Sequence, residues 1–98
     1  MVRVRGEIDM SVAPDLADAL AGSAPPGHTL VVDLGAVTFL DSSALGTLVT
    51  AGRARQDAGG RLQIAGRSAA VDRILEMTGL AQTSEVFDIL PDSSGGHD

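Results

Sequence analysis

Apolar residues recur along this chain with two different periods, and their order predicts its secondary-structure elements. Segments in which apolar and polar residues alternate, and short runs that are wholly apolar, indicate β-strands. Four segments have this character: residues 2–8, 30–34, 62–64 and 85–90. Arg3 and Arg5 give the first segment one charged face, whereas the second is rich in valine and is typical of a central strand covered on both faces.

Three helices are predicted between these strands, because apolar residues there are spaced three and four apart. The expected buried stripes are Val12, Leu16, Ala19 and Leu20, then Leu45, Leu48 and Val49, and finally Val71, Ile74 and Leu75. Ser11 and Ser68 are the expected N-caps of the first and third helices, and Gly79 is the expected C-terminal glycine of the third. Gly52 continues the second stripe, where a missing side chain lets the helix lie close to the sheet.

The resulting order, β-α-β-α-β-α-β, predicts an α/β fold with one mixed or mostly parallel sheet and helices packed against it. Residues 35–40 are expected to be a connection that leads into the second helix. A chain of 98 residues is enough for one hydrophobic core. We therefore expect a single domain over residues 1–90 and a polar, disordered tail over residues 91–98.

Composition and charge narrow the possible partners. The net charge is −6, and all seven basic residues are arginine. Two of them, Arg53 and Arg55, lie near the C-terminal end of the second helix, where positive charge is favoured by the helix dipole. An acidic surface is repelled by phosphate backbones, so we expect no direct contact with nucleic acid and attraction to a basic patch on another protein. Cysteine is absent, and neither a membrane-spanning apolar run nor a signal-peptide core is present, which predicts a cytoplasmic protein without a membrane partner.

Residues suited to catalysis or metal binding are sparse, so we predict no enzyme activity, no metal and no cofactor. His28 in a loop and His97 in the tail are not placed to activate a nucleophile, and a G-x-S-x-G elbow is absent. Asp9, Asp33 and Asp41 fall near the ends of strands, as in phosphoryl-accepting magnesium sites, but the lysine of such sites is missing. The preferred interpretation is that Asp33 ends a strand and that Asp9 and Asp41 make turn and cap hydrogen bonds.

The segment Asp41-Ser42-Ser43-Ala44-Leu45-Gly46 places two hydroxyl groups where the second helix begins. One interpretation is structural: Ser42 or Asp41 is an N-cap that accepts hydrogen bonds from the free N–H groups of the first turn. The other is functional: a serine here can carry a phosphoryl group, because the helix dipole and the free N–H groups stabilise added negative charge. A phosphate next to Asp41 would then expel a partner docked there.

Three segments, in this order and spacing, resemble the STAS domain of bacterial anti-sigma-factor antagonists. They are Gly6-Glu7-Ile8-Asp9 after the first strand, residues 32–46 from the second strand into the second helix, and Met77-Thr78-Gly79-Leu80 at the end of the third helix. The middle segment is the specific one, and the resemblance covers roughly residues 2–90.

This resemblance implies that Ser42 is phosphorylated by the partner itself, an anti-sigma factor that is also a serine kinase. The unphosphorylated chain would bind the kinase and release the sigma factor, phosphorylation would end that binding, and a PP2C-type phosphatase would restore it. By the same resemblance, the surface that meets the kinase comprises Asp9, Asp41, Ser43, Ala44 and Gly46.

The sequence departs from the family pattern at three points. Ala44 stands where the family usually has glycine, which adds a methyl group near the docking surface. The strand that usually precedes Gly-Glu-Ile-Asp is expected to be absent, and the usual C-terminal helix is expected to be absent or much shortened. The uncovered sheet edge predicts either self-association into a homo-oligomer or a tail that is reorganised to cover the gap. The alternative function is a STAS-like module that binds without being phosphorylated, in a transport complex or a signalling scaffold.

Overall fold

The computed structural model of the protein describes residues 1–82 and 86–91. Its elements are β1 (Val2–Ile8), α1 (Ala13–Gly22), β2 (Leu30–Leu40), α2 (Ser42–Asp57), β3 (Leu62–Arg67), α3 (Ala69–Thr78), a 3₁₀ turn (Leu80–Gln82) and β4 (Asp88–Ile89). The four strands form one fully parallel sheet in the order β1-β2-β3-β4. The predicted α/β fold and its element order are therefore confirmed.

The hydrophobic core lies between the sheet and a layer of helices. Consecutive strands of a parallel sheet are joined by right-handed crossovers, and with this strand order such crossovers place all three helices on one face. The core accordingly contains residues from every helix and from alternate strand positions, such as Val32, Leu34, Leu62 and Ile64, each 0% exposed. Asp33, between two of these positions, is half-buried on the open face of the sheet.

β2 continues to Leu40, so the prediction that residues 35–40 form a connection is wrong. Within this stretch Val37 and Leu40 are buried and the other four residues are exposed, so the sequence lacks the alternation that marks a strand. The stretch is extended because it pairs with the second half of β1, as far as Ile8 opposite Leu40. Two register shifts interrupt the pairing, and Gly6 beside one of them has a φ of +84°, which glycine adopts readily.

The helix termini agree with the sequence in α3 but not in α1. Ser68 Oγ accepts a hydrogen bond from the first turn of α3 at 3.2 Å, and Gly79 ends this helix with a φ of +80°, as predicted. The N-cap of α1 is Val12, which has no side-chain cap, because the Ser11 hydroxyl donates to the Asp9 carboxylate instead. The prediction of Ser11 as N-cap is therefore wrong.

Most of the predicted stripe residues are buried. Those with little or no exposure are Leu16, Leu20, Leu45, Leu48, Val71 and Leu75, and those packed half-buried against the core are Val12, Val49 and Ile74. Ala19 is exposed and Ala13 is buried in its place. Gly52 is buried, and a side chain there would collide with the carbonyl oxygen of Val86, so α2 lies close to the segment that precedes β4.

β4 is shorter than predicted and consists of Asp88–Ile89. Val86 and Phe87 before it are buried, with exposures of 5% and 0%, and they are the main apolar residues of this segment as expected. Glu85, the predicted start of the strand, and residues 92–98 of the predicted tail lie outside the described residues. In the described part of the chain, no helix combines the length and apolar character needed to cross a bilayer.

Candidate functional site

The start of α2 lies beside the β1–α1 loop at one end of the sheet. β1 and β2 are parallel neighbours that finish together, with Ile8 opposite Leu40. The Asp41 N–H donates to the carbonyl of Ile8 at 3.2 Å, which joins the two segments that follow these strands. Parallel pairing thus brings Asp9 and Ser42 to the same end of the sheet, beyond the C-terminal ends of β1 and β2, where α/β proteins usually form their sites.

Asp41 is the N-cap of α2. Its backbone is extended, with φ −91° and ψ 179°, and its Oδ1 accepts a hydrogen bond from Ala44 N at 2.9 Å. Of the two caps that the sequence allowed, the carboxylate therefore takes the position, and Ser42 becomes the first residue of the helix. The Ser42 side chain is exposed, and its hydroxyl has no hydrogen-bond partner among the described residues.

The first turn of α2 leaves N–H groups open to an anion. The N–H groups of Ala44 and Leu45 are bound by the side chain and the carbonyl of Asp41, at 2.9 and 3.0 Å. Those of Ser42 and Ser43 have no acceptor in residues 1–82 and 86–91, and the helix dipole makes this end partly positive. A phosphate on Ser42 Oγ therefore has backbone donors in its own and the next residue and does not have to displace the cap.

Asp9 lies in a tight turn of its own at the start of the β1–α1 loop. Its Oδ1 accepts hydrogen bonds from Ser11 Oγ at 2.6 Å and from Ser11 N at 3.0 Å. These bonds, that of the hydroxyl first, lower the pKa of Asp9 below its ordinary value, because they stabilise the ionised form. The site therefore has a fixed negative charge beside the start of α2 at neutral pH.

Asp9, Asp33 and Asp41, which the sequence places near strand ends, are not grouped as ligands of one metal ion. Asp33 lies within β2 rather than at its end, and its carboxylate accepts a hydrogen bond from the Gly35 N–H at 2.8 Å. Asp9 and Asp41 are engaged in turn and cap hydrogen bonds, which confirms the preferred interpretation of both. Where the structure describes the chain, no three His, Cys, Asp or Glu side chains are grouped so that they could hold a metal ion.

Ser43 and Gly46 line a groove between α1 and α2. The groove has a volume of about 580 Å³, and most of its walls are small side chains such as Ala17 and Thr50. Ser43 and Gly46 are both exposed, but Ala44 is 0% exposed. The methyl group of Ala44 therefore packs into the core, and the expectation that it adds bulk to the docking surface has to be corrected.

Residues 1–91 match the family model described as "Mlab, STAS domain". The chain belongs to the STAS domain family. This match extends over every element of the described fold, from β1 to β4, and includes both segments that meet at the candidate site.

The STAS domain described here is similar to proteins named anti-sigma-B factor antagonist. One, from Bacillus subtilis strain 168, is 34% identical over 95 residues, which make up 97% of this chain and 84% of that protein. Another, from Listeria monocytogenes, is 32% identical over 95 residues, with coverages of 96% and 83%. The crystal structure of an anti-sigma factor antagonist from Mycobacterium paratuberculosis matches with a TM-score of 0.73 at 34% identity, over 95% of this chain and 77% of that one.

One residue of this STAS domain that sequence reasoning missed is Arg55, which lines the groove and is only 7% exposed. Its guanidinium donates to four backbone carbonyls at 2.9 to 3.2 Å, those of Leu20, Ala24, Pro25 and His28. Arg55 thus caps the C-terminal end of α1 and holds the loop to β2, whereas the sequence suggested only a favourable charge at the end of its own helix. No local signal identifies this role, because the bonds join residues 27 to 35 positions apart.

Proposed function

We propose that this STAS domain is an anti-sigma-factor antagonist whose binding to an anti-sigma factor is switched off by phosphorylation of Ser42. The observation that carries the proposal is the position of Ser42, which is exposed, begins α2 and takes no part in its cap. Relatives named anti-sigma-B factor antagonist, 34% and 32% identical, support the antagonist function. The free hydroxyl at a helix start supports the switch.

The proposed partner is an anti-sigma factor that is also a serine kinase. It transfers the γ-phosphoryl group of ATP to Ser42 Oγ: the new O–P bond forms as the bond to ADP breaks, and the hydroxyl proton passes to a base of the kinase. This chain supplies the acceptor and the docking surface, and the kinase supplies ATP and its metal. A PP2C-type phosphatase hydrolyses the Oγ–P bond with water, which releases phosphate and restores the serine.

Phosphorylation is expected to change the docking surface more than the fold. It adds about 1.5 to 2 negative charges beside the carboxylates of Asp41 and Asp9. The free N–H groups of Ser42 and Ser43 can donate to the phosphate oxygens, so α2 is retained. An interface that closes over Ser42 must dehydrate this anion, which costs far more than dehydration of a hydroxyl. The partner is expelled for that reason and because of the added bulk.

Incubation with the candidate anti-sigma factor kinases of the same organism and ATP, followed by mass spectrometry, tests the acceptor. We expect one phosphate on the wild-type chain and on Ser43→Ala, which removes the neighbouring exposed hydroxyl, and none on Ser42→Ala. Ser42→Ala should bind the kinase as the wild type does, whereas Ser42→Asp should bind more weakly. Phosphate on Ser43, or equal affinity of the two Ser42 variants, would contradict the switch.

The proposal also distinguishes this chain from a STAS module that binds without being phosphorylated. The surface of such a module needs no acceptor hydroxyl, whereas Ser42 presents one that is free of structural hydrogen bonds among the described residues. A stable complex with a transporter ATPase, together with no binding to any kinase, would favour the module over the antagonist.

Self-association through β1 is a separate part of the proposal. In the described sheet β1 pairs only with β2, so its other edge has backbone groups open to another strand. The two register shifts and the charges of Arg3, Arg5 and Glu7 shorten the stretch with which a second copy can pair. We expect a weak, concentration-dependent dimer, and sedimentation that shows a clean monomer at high concentration would contradict it.

A further inference from the structure

We propose that Met10 and Phe39 are the apolar anchors of the docking surface, so that they determine affinity for the partner while Ser42 determines whether binding is on or off. The inference rests on the proposed function, because the occupant of this surface is taken to be the anti-sigma factor that phosphorylates Ser42. It adds two residues, outside the predicted set, that contribute binding energy.

The first observation is the exposure of large apolar side chains. Among the described residues four such side chains are exposed: Met1, Met10, Phe39 and Met77. Met10 is 70% exposed and Phe39 is 49% exposed. Methionine and phenylalanine are enriched in protein–protein interfaces, because they bury much apolar area once a partner covers them.

The second observation is where these two side chains lie. Phe39 is three residues before Ser42 and Met10 is two residues after Ile8, which pairs with Leu40. Cα atoms are about 3.8 Å apart along the chain and about 4.8 Å apart between strands, so Met10 lies within about 20 Å of Ser42. An interface of ordinary size, about 800 Å² on each partner, is roughly 30 Å across. An interface of this size that includes Ser42 is therefore wide enough to include both anchors.

The third observation is that the backbone around both anchors is already ordered. Met10 lies between Asp9 and Ser11, whose side chains and backbone are joined by two hydrogen bonds of 2.6 and 3.0 Å. Phe39 lies in β2, opposite Glu7 of β1. Little backbone freedom is lost when such residues are covered, so most of the apolar area that they bury contributes to affinity.

The charges around the anchors indicate the chemistry of the partner surface. Glu7 lies opposite Phe39, Asp9 is adjacent to Met10, and Asp41 caps the neighbouring helix. The protein as a whole has a net charge of −6. The complementary surface is an apolar depression bordered by basic side chains, which is a feature of a protein partner rather than of a nucleic acid or an anionic membrane.

Met10→Ser and Phe39→Thr test the anchors, and Met77→Ser is the matched control, because Met77 is 77% exposed and lies on α3. Affinity for the kinase that phosphorylates Ser42 is measured by titration calorimetry, with circular dichroism to show that each variant is folded. We expect each anchor variant to lose about tenfold in affinity, and Met77→Ser to bind as the wild type does. The ratio of affinities before and after phosphorylation should be the same in all of them, since the anchors do not carry the switch.

The outcomes separate this inference from the proposed function. If the wild type binds the kinase and Met10→Ser and Phe39→Thr bind within twofold of it, the anchors are wrong and the antagonist function stands. An equal loss in Met77→Ser would also overturn the anchors, because exposed apolar area in general would then explain the effect. If the wild type binds no kinase at all, the proposed function is wrong and the inference is lost with it.

Discussion

Replacing Arg55 by methionine removes a side chain that ties α2 to the end of α1 and to the following loop. Arg55 is 7% exposed, and its guanidinium donates from Nη1 and Nη2 to four carbonyls at 2.9 to 3.2 Å. Methionine fills a similar volume with an unbranched apolar side chain, so the substitution removes the hydrogen bonds and the charge with little change in packing.

The expected loss of stability follows from these four bonds. Hydrogen bonds that involve a charged donor contribute about 1.5 kcal/mol or more each, or about 6 kcal/mol together. Two effects reduce this loss by roughly half: the variant no longer buries a charge, and water can hydrogen-bond to the carbonyls that are only part-buried. The carbonyl of Leu20, whose bond to Arg55 is buried, stays without a donor. We expect a net loss of about 3 kcal/mol, equivalent to a fall of about 12–24 °C in melting temperature for a domain of this size.

Urea and thermal unfolding followed by circular dichroism measure this loss. Arg53→Met is the matched control, because Arg53 lies two residues away on the same helix and is exposed, and it should change stability by less than about 0.5 kcal/mol. Arg55→Lys keeps the charge but not the planar fork of donors, so its stability should lie between those of the wild type and Arg55→Met. If Arg55→Met is as stable as Arg53→Met, the four bonds do not hold α1 and α2 together.

Three further predictions concern the cap, the glycines of α2 and acid stability. Asp41→Ala removes the cap acceptor and should lower the free energy of unfolding in urea by about 1 kcal/mol, whereas Asp41→Asn keeps an acceptor and should lose less. Gly52→Ala should destabilise by about 1–3 kcal/mol because its methyl group meets backbone, whereas Gly46→Ala, with open space around a Cβ, should raise the urea midpoint. Arg61 donates a hydrogen bond of 2.7 Å to the Asp88 carboxylate and so lowers the pKa of Asp88. The stability that this bond contributes is fully present above about pH 4, and it is lost as the pH falls through the lowered pKa. Asp88→Asn should therefore make the urea midpoint less dependent on pH in that acid range, and an unchanged pH profile would contradict this assignment.

The sequence predicts those parts of the fold in which the buried residues follow the spacing of apolar residues expected for a single strand or helix. The valine-rich start of β2 and the stripes of Leu45 and Leu48, and of Val71 and Leu75, are buried as their spacing indicates. The second half of β2 was missed because its extended shape comes from pairing with β1, a contact between distant residues. Tertiary pairing of this kind overrides weak local preference.

The same distinction holds at the candidate site. That Asp9 and Asp41 meet at one end of the sheet follows from β1 and β2 ending together at Ile8 and Leu40, and this depends on the second half of β2, which the sequence did not predict. The sequence did not predict which residue caps α2, because aspartate and serine are both good N-caps and only the backbone geometry distinguishes them. The burial of Ala44 and the bonds of Arg55 depend on packing between α2 and other elements, so no local pattern could have indicated them.

The division of roles between Asp41 and Ser42 decides whether charge at this helix start acts on binding or on folding. If Ser42 Oγ were the cap, a phosphate there would remove the cap hydrogen bond, and stability would change with every phosphorylation. Because Asp41 Oδ1 already binds Ala44 N, Ser42 can be modified at little cost to α2. Met10 and Phe39 lie outside both the cap and the acceptor. In the proposed switch, the cap of α2, the acceptor hydroxyl and the apolar anchors are thus different side chains, so Ser42→Ala and Phe39→Thr should alter switching and affinity while the cap hydrogen bond of Asp41 is kept.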